Sequence, residues 1–324
     1  MGSFFPAGTP GARTPGPAAR PGTTVQGVTP SDYDEFGLLH ENAEEFGLPF
    51  DHPPDVRRVP VAVGADRRLS ALVWGSGPAE LVLLHGGAQN AHTWDTVALA
   101  LGRPLVAIDL PGHGHSDSGP AGALSVTQHA ADVGVVVNAL APEARAVVGM
   151  SLGGLTALAL SALAPDLVRR LVLVDITPGV TAAKAHAVTS FVSGPSSFDS
   201  FDEILARTIE FNPTRSVSSL RRGILHNAVQ RDDGTWVWRY ARSRHDEGGV
   251  QPEFGDLWGA VSSLEVPLLL VRGMASGSVV DDADEAEVLR RQPGAQVERI
   301  EGAGHSVQGD KPVELARLID AFVP

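Results

Sequence analysis

The chain of 324 residues contains no cysteine. That absence excludes disulfides, cysteine nucleophiles and thiolate metal sites together. Basic residues are scarce as well: 25 Lys and Arg stand against 38 Asp and Glu, a formal net charge of −13 at pH 7. A surface of that sign repels nucleic-acid phosphates and anionic membranes, so neither is expected as a partner. No apolar run approaches the length of a membrane span, and no internal repeat is visible. The opening stretch MGSFFPAGTPGARTPGPAARPGTTVQG has neither a basic n-region nor a continuous apolar h-region. It does not read as a secretory signal, and the cytoplasm is the expected location. Its Pro, Gly, Ala and Thr cannot bury enough apolar surface to offset the entropy of ordering, so residues 1–28 are expected to form a flexible tail.

What is present is a chain of 43% hydrophobic content, long enough to bury one large core. VRRVPVAVG and RLSALVWG, split by ADR, are short alternating runs and predict an antiparallel hairpin at a sheet edge. Four compact apolar runs follow: ELVLLH (80–85), PLVAIDL (104–110), RAVVGM (145–150) and RLVLVDI (170–176). Strands apolar throughout are covered on both faces, as in a mostly parallel sheet. SVTQHAADVGVVVNAL and LGGLTALALSALA read as helices between them, VPLLLVRG (266–273) and AQVERIEGAG (295–304) as late strands, and KPVELARLIDAFV as a closing helix. The alternation predicts a three-layer α/β core over 29–177 and 263–324. Residues 178–262 break the pattern: they are loop-rich, helical in character and carry Trp236, Trp238, Tyr240 and Trp258. They are expected to form a helical cap over the carboxyl ends of the strands, where open α/β sheets place ligands.

The motif VVGMSLGGLTALAL (147–160) sets Ser151 between Gly149 and Gly153. A G-x-S-x-G string is expected by chance about 0.3 times in a chain this rich in glycine, so the surroundings must carry its meaning. Here it follows a predicted strand and opens a predicted helix, the setting of a nucleophile elbow. The glycines relieve backbone crowding in the sharp turn, and the helix start favours developing negative charge. In LLHGGAQNAHTW (83–94), Gly87 sits just past the first parallel strand. Its N–H and that of Leu152 are the expected oxyanion hole. His305, in EGAGHSVQGDKP, lies between the last strand and the last helix, where a neutral imidazole can take the Ser151 proton.

In order along the chain, LLHGG, AIDLPGHGHSD, VVGMSLGG, LVLVDITPG and GAGHSVQGDKP resemble the α/β-hydrolase superfamily, in its capped branch. That branch includes esterases, C–C bond hydrolases, lactonases, haloalkane dehalogenases and epoxide hydrolases. Dehalogenase-like and epoxide-hydrolase-like members carry an aspartate at the elbow, whereas a serine suits attack on a carbonyl carbon. The resemblance therefore implies acyl chemistry on an ester, thioester, lactone or C–C bond, with a carboxylic ester as the leading reading. A small and apolar substrate is expected. Two alternatives stay open: a lyase or cyclase that works without water, and a receptor-like member with weak turnover.

Many relatives place the triad acid about four residues past the glycine of the VPLLLVRG strand, and Gly277 occupies that position here. Asp175, at the end of LVLVD, matches where some haloalkane dehalogenases carry theirs and is the preferred candidate. Asp281 or Asp282 is the alternative, although both can simply open the helix DADEAEVLRR. His113 and His115 of GHGH lie in the PGHG turn of the family rather than in a ligand cluster, and Asp109 ahead of it reads as structural. No metal is expected. With no G-x-G-x-x-G after a strand and no P-loop, no nucleotide cofactor is expected either.

Overall fold

The computed structural model describes residues 33–119, 125–240 and 257–324. The expected tail at 1–28 lies outside the described residues. β1 (Val56–Ala62) and β2 (Arg68–Trp74) form the anticipated antiparallel hairpin, Val56 opposite Trp74 and Ala62 opposite Arg68. β3 (Leu81–Leu84), β4 (Leu105–Ile108), β5 (Ala146–Met150) and β6 (Leu171–Val174) are buried at every residue, which is why their sequences are apolar without alternation. An insertion carries the short strands β7 (Ser197–Phe198), β8 (Ala228–Gln230) and β9 (Trp236–Trp238). The chain then returns through β10 (Leu268–Gly273) and β11 (Gln296–Ile300). The large sheet has the order β1-β2-β4-β3-β5-β6-β10-β11, parallel from β4 onward.

Helices cover both faces. α1 (Leu39–Phe46) and α2 (Asp95–Leu101) bury Leu39, Val97 and Ala98 on one face. α3 (Val126–Leu140) and α4 (Leu152–Leu163) pack together on the other, through residues such as Val133, Val137, Leu158 and Leu160. The insertion contributes α5 (His186–Val192), α6 (Phe201–Phe211) and α7 (Val217–Asn227). α8 (Leu257–Ser262) and α9 (Asp282–Arg291) join the α3/α4 face, while the short α10 (Val307–Asp310) and α11 (Pro312–Phe322) join the α1/α2 face.

Two features depart from the sequence reading. The inserted segment is not purely helical, because β7, β9 and β8 form an antiparallel sheet whose β8–β9 turn is AspAspGly with Gly234 at φ +88°. Its residues Phe198, Ile204, Ile224, Ala228 and Trp236 make a small apolar core of their own. Second, α8 lies inside the 178–262 stretch expected as cap, yet Leu257 and Val261 are buried in the main core and Trp258 packs against it under the Arg291 guanidinium. Apolar spacing alone does not tell a helix of one core from a helix of its neighbour.

The chain passes from β3 to β4 on one side and then back across to β5 on the other. That reversal opens a crevice at the carboxyl ends of β3 and β5, the place where open α/β sheets bind ligands.

Candidate active site

Three residues other than glycine have positive φ among the described residues: Ala88 (59°), Ser151 (51°) and Asp175 (47°). Each stands just past a central strand, respectively β3, β5 and β6. Such backbone costs on the order of 1–3 kcal/mol per residue and persists only where the surroundings enforce it. Around Ser151 the enforcement is steric. A Cβ on Gly153 would stand 2.3 Å from the Leu84 carbonyl oxygen, and one on Gly154 2.4 Å from Ile176 Cγ2. A Cβ on Gly149 would meet the Gly153 carbonyl oxygen at 2.4 Å. Only glycine allows strand, turn and helix to approach this closely, so Ser151 is thrust out at the head of α4.

The turn after β3 lies against it. A Cβ on Gly86 would meet Met150 Sδ at 2.5 Å and Ser151 Cβ at 3.2 Å. The backbone N–H groups of Gly87 and Leu152 have no acceptor among the described residues. The loop that carries Gly87 is held from several sides. Ala88 N–H donates to His113 Nε2 (3.1 Å), and Asn227 Nδ2 of α7 donates to the Ala88 carbonyl (2.7 Å). Gln89 Oε1 accepts from Gly86 N–H (3.1 Å) and from Gln308 Nε2 (3.2 Å). His113 also donates from Nδ1 to the Pro111 carbonyl (3.0 Å), and burial pushes its pKa down, so it stays the neutral acceptor that Ala88 needs. His85 is fully buried, its pKa driven down to about 3; its Nδ1–H goes to the Gly86 carbonyl and its Nε2 accepts Leu110 N–H. The GHGH turn thus braces the Gly87 loop, a role its sequence alone did not suggest.

His305 and Asp175 meet. His305 Nδ1–H donates to Asp175 Oδ2 at 2.9 Å. The completely buried Asp175 carboxylate takes three more donors: Gly273 N–H (2.9 Å), Ser278 Oγ–H (2.6 Å) and Val279 N–H (3.0 Å). The loop in which many relatives hold the acid here supplies two of those donors instead, and Gly277 within it turns at φ +102°. The alternative acids do other work. Asp281 is the N-cap of α9, in a reciprocal capping box with Asp284, and is ion-paired to Lys184 at 2.8 Å. Its hydrogen bond from Lys184 and that from Asp284 N–H hold its pKa down at about 2. Asp282 is 95% exposed and pairs with Arg272. Asp109, as anticipated, is structural: it accepts Ala91 and His115 N–H groups and pairs with Arg58 at 2.7 Å.

Ser151, Gly87 and His305 line one cavity of about 340 Å³ between the strand ends and the insertion. Phe191, Phe211, Leu220 and Trp238 form apolar wall on the insertion side. Phe46 of α1 also lines it; this N-terminal helix is tied to α7 by ion pairs from Arg221 to Glu41 (3.3 Å) and from Arg222 to Glu45. Of the insertion's tryptophans, Trp238 lines the cavity, whereas Trp236 belongs to the small apolar core of the insertion.

One His/Asp cluster, His92, Asp95 and His226, has ligand atoms close enough to hold an ion. Its geometry fits a buried imidazolium better. His92 already donates from Nδ1 to Asp95 (2.9 Å) and from Nε2 to Glu35 (3.0 Å), and its ring is stacked on His226 at 3.9 Å and 10°. Lone pairs of parallel stacked rings do not converge on one metal. Burial works against its charge, yet Asp95 and Glu35 raise the His92 pKa to about 9.

A family model described as the α/β hydrolase fold matches residues 80–312. The chain belongs to the α/β-hydrolase family. Within it, the chain is 46% identical over 294 residues to Esterase Rv0045c of Mycobacterium tuberculosis, covering 88% of this chain and 94% of that one. A crystal structure of that esterase superposes with a TM-score of 0.78 at 45% identity, covering 90% of this chain and 98% of the other. An sn-1-specific diacylglycerol lipase ABHD11 of Xenopus laevis is 31% identical over 261 residues, 75% of this α/β-hydrolase and 79% of the lipase. No helix among the described residues is long and apolar enough to cross a membrane.

Proposed function

We propose that this α/β-hydrolase cleaves carboxylic esters through an acyl-enzyme. Ser151 is the nucleophile, His305 the general base and then the general acid, and Asp175 the carboxylate that orients the imidazole. The observation that carries the reading is the His305–Asp175 hydrogen bond of 2.9 Å in the wall of a cavity that Ser151 and Gly87 also line. The names of the esterase and lipase relatives support the ester as the bond attacked.

In the first half-reaction Ser151 Oγ adds to the ester carbonyl as its proton passes to His305 Nε2. The oxyanion accepts from the N–H groups of Gly87 and Leu152, which have no acceptor among the described residues to give up. Collapse of the adduct breaks the bond to the alcohol oxygen, which leaves with the proton from His305. Water then loses a proton to His305 and adds to the acyl carbonyl, and the second collapse returns Ser151 and frees the acid. Asp175, fixed by three further donors, keeps the His305 ring oriented through both half-reactions. Because Asp175 does the work of the acid missing at Gly277, that substitution gives no support to a lyase or cyclase. The apolar walls of the cavity favour a small substrate with an apolar body.

Ser151→Ala is expected to lower kcat/KM on a p-nitrophenyl ester at least about 10³-fold with no change in melting temperature. The wild-type serine should also be labelled by a fluorophosphonate probe. Turnover at the wild-type rate in the variant would falsify the assignment.

A further inference from the structure

The cavity that holds Ser151 is also lined by a cationic side chain to which the reaction assigns no task. Arg215 lies in the turn between α6 and α7. Its guanidinium makes one hydrogen bond among the described residues, from Nη2 to Ser219 Oγ at 2.7 Å. Among the described residues its Nε–H is buried with no partner and Nη1 has no acceptor. The nearest acids are committed elsewhere: Asp310 Oδ2 accepts Gly304 N–H at 2.9 Å, and Glu45 takes Arg222 and Ser216. No carboxylate of the described residues lies within ion-pair distance of Arg215. Burial disfavours its charge, and only the more distant Asp310 and Glu45 favour it.

The main chain makes room for this group. A Cβ on Gly309, four residues past His305, would stand 2.8 Å from Arg215 Cζ. A guanidinium held in a close-fitting niche without a counter-ion is costly in a ligand-free protein and useful in one whose ligand brings the anion. The planar fork of Arg matches a carboxylate in particular.

We infer that Arg215 is a specificity-determining residue that binds a carboxylate of the substrate, so that the preferred substrates are esters carrying a free carboxylate remote from the carbonyl attacked. The inference rests on the ester-hydrolase reading above and refines its substrate class. The apolar stretch of wall contributed by Phe211 and Leu220 suits the methylene chain that joins the two ends.

The test compares matched esters. p-Nitrophenyl monoesters of glutaric, adipic and pimelic acid are assayed against the same esters with the free carboxyl converted to a carboxamide. A second pair puts the carboxylate on the alcohol side: the butanoate ester of 5-hydroxypentanoic acid against that of its amide, followed by pH-stat. Wild type is expected to favour the carboxylate member in at least one series by about tenfold or more in kcat/KM, chiefly through KM. Arg215→Met and Arg215→Gln should each bring that ratio to about one. A ratio of one or less in both wild-type series overturns the inference, as does a wild-type ratio that survives in either variant. Ser151→Ala run in parallel separates the two readings. A flat ratio with an inactive Ser151→Ala overturns the Arg215 subsite alone, whereas hydrolysis by Ser151→Ala overturns the parent mechanism.

Discussion

The floor and the roof of the cavity are built by different means. On the floor, Ser151 and Asp175 are held by backbone conformation: positive φ past strand ends, with Gly149, Gly153 and Gly154 in places a Cβ cannot enter. On the roof, contributed by residues 186–238, position depends on side chains such as Phe191 against Trp238 or Asn227 reaching Ala88. The floor therefore tolerates almost no change in the chemistry, while the roof can alter its residues and with them the ligand. In the proposed mechanism, reaction type resides in the turns after the strands and selectivity in the insertion.

The sharpest test of the floor concerns the acid. Asp175→Asn keeps the shape but presents His305 with a wrong partner and should lower kcat by about 10³–10⁴-fold. Asp281→Asn should leave kcat within about twofold. Asparagine still caps α9, so the loss is that of the half-exposed Lys184 ion pair, about 0.5 kcal/mol of stability, which thermal melting will register as a small shift. Equal effects of the two substitutions on kcat would remove the distinction between Asp175 and Asp281.

The same contrast explains what the sequence disclosed. The sheet, its edge hairpin and the candidates Ser151 and His305 were legible, because strand runs, turn glycines and residues at strand ends are local signals read one segment at a time, whereas the acid stayed divided between Asp175 and Asp281 or Asp282. The hairpin AVQRDDGTWVW in the insertion carried a signal as well, a Gly-containing turn between β-forming residues, but it was masked by the helical segments beside it. Asn227 and Phe46 left no trace. Asn227 acts on Ala88, 139 residues away, and Phe46 reaches the cavity because ion pairs dock α1 on α7. Nothing local distinguishes such an Asn or Phe from any other. Arg215 was equally silent, since what marks it is the lack of a counter-ion among the described residues, which only the folded chain reveals.

Asn227 is where roof meets floor, and removing it should blur the difference between them. In Asn227→Ala the Ala88 carbonyl loses its roof donor while His113 still accepts the Ala88 N–H. The Gly87 N–H then points less firmly at the oxyanion, with an expected fall in kcat of about tenfold and little change in KM. Steady-state kinetics on a neutral p-nitrophenyl ester reads this directly. An unchanged kcat would mean that the floor holds its own loop without help from above.

The smallest effect on rate is expected at the second joint, the His92 cluster, whose consequence is one of stability. His92 lies in the turn before α2, Glu35 comes from the N-terminal segment and the His226 ring from α7, so three parts of the chain meet around one imidazolium. Asp95 and Glu35 favour the charge; burial, the Arg58 guanidinium at 3.3 Å and the stacked His226 oppose it. The folded pKa of about 9 lies above the unfolded value near 6.5, so the stabilisation is complete below about pH 6.5 and is lost as pH rises through 9. The difference corresponds to up to about 3 kcal/mol, or a shift of about 3–6 °C in a domain of this size. Melting temperatures of wild type and His92→Gln should therefore converge between pH 6 and pH 10, because titrations common to both proteins cancel in the difference. Parallel curves across that range would show that His92 is not charged in the fold, and that roof and floor are joined there by packing alone.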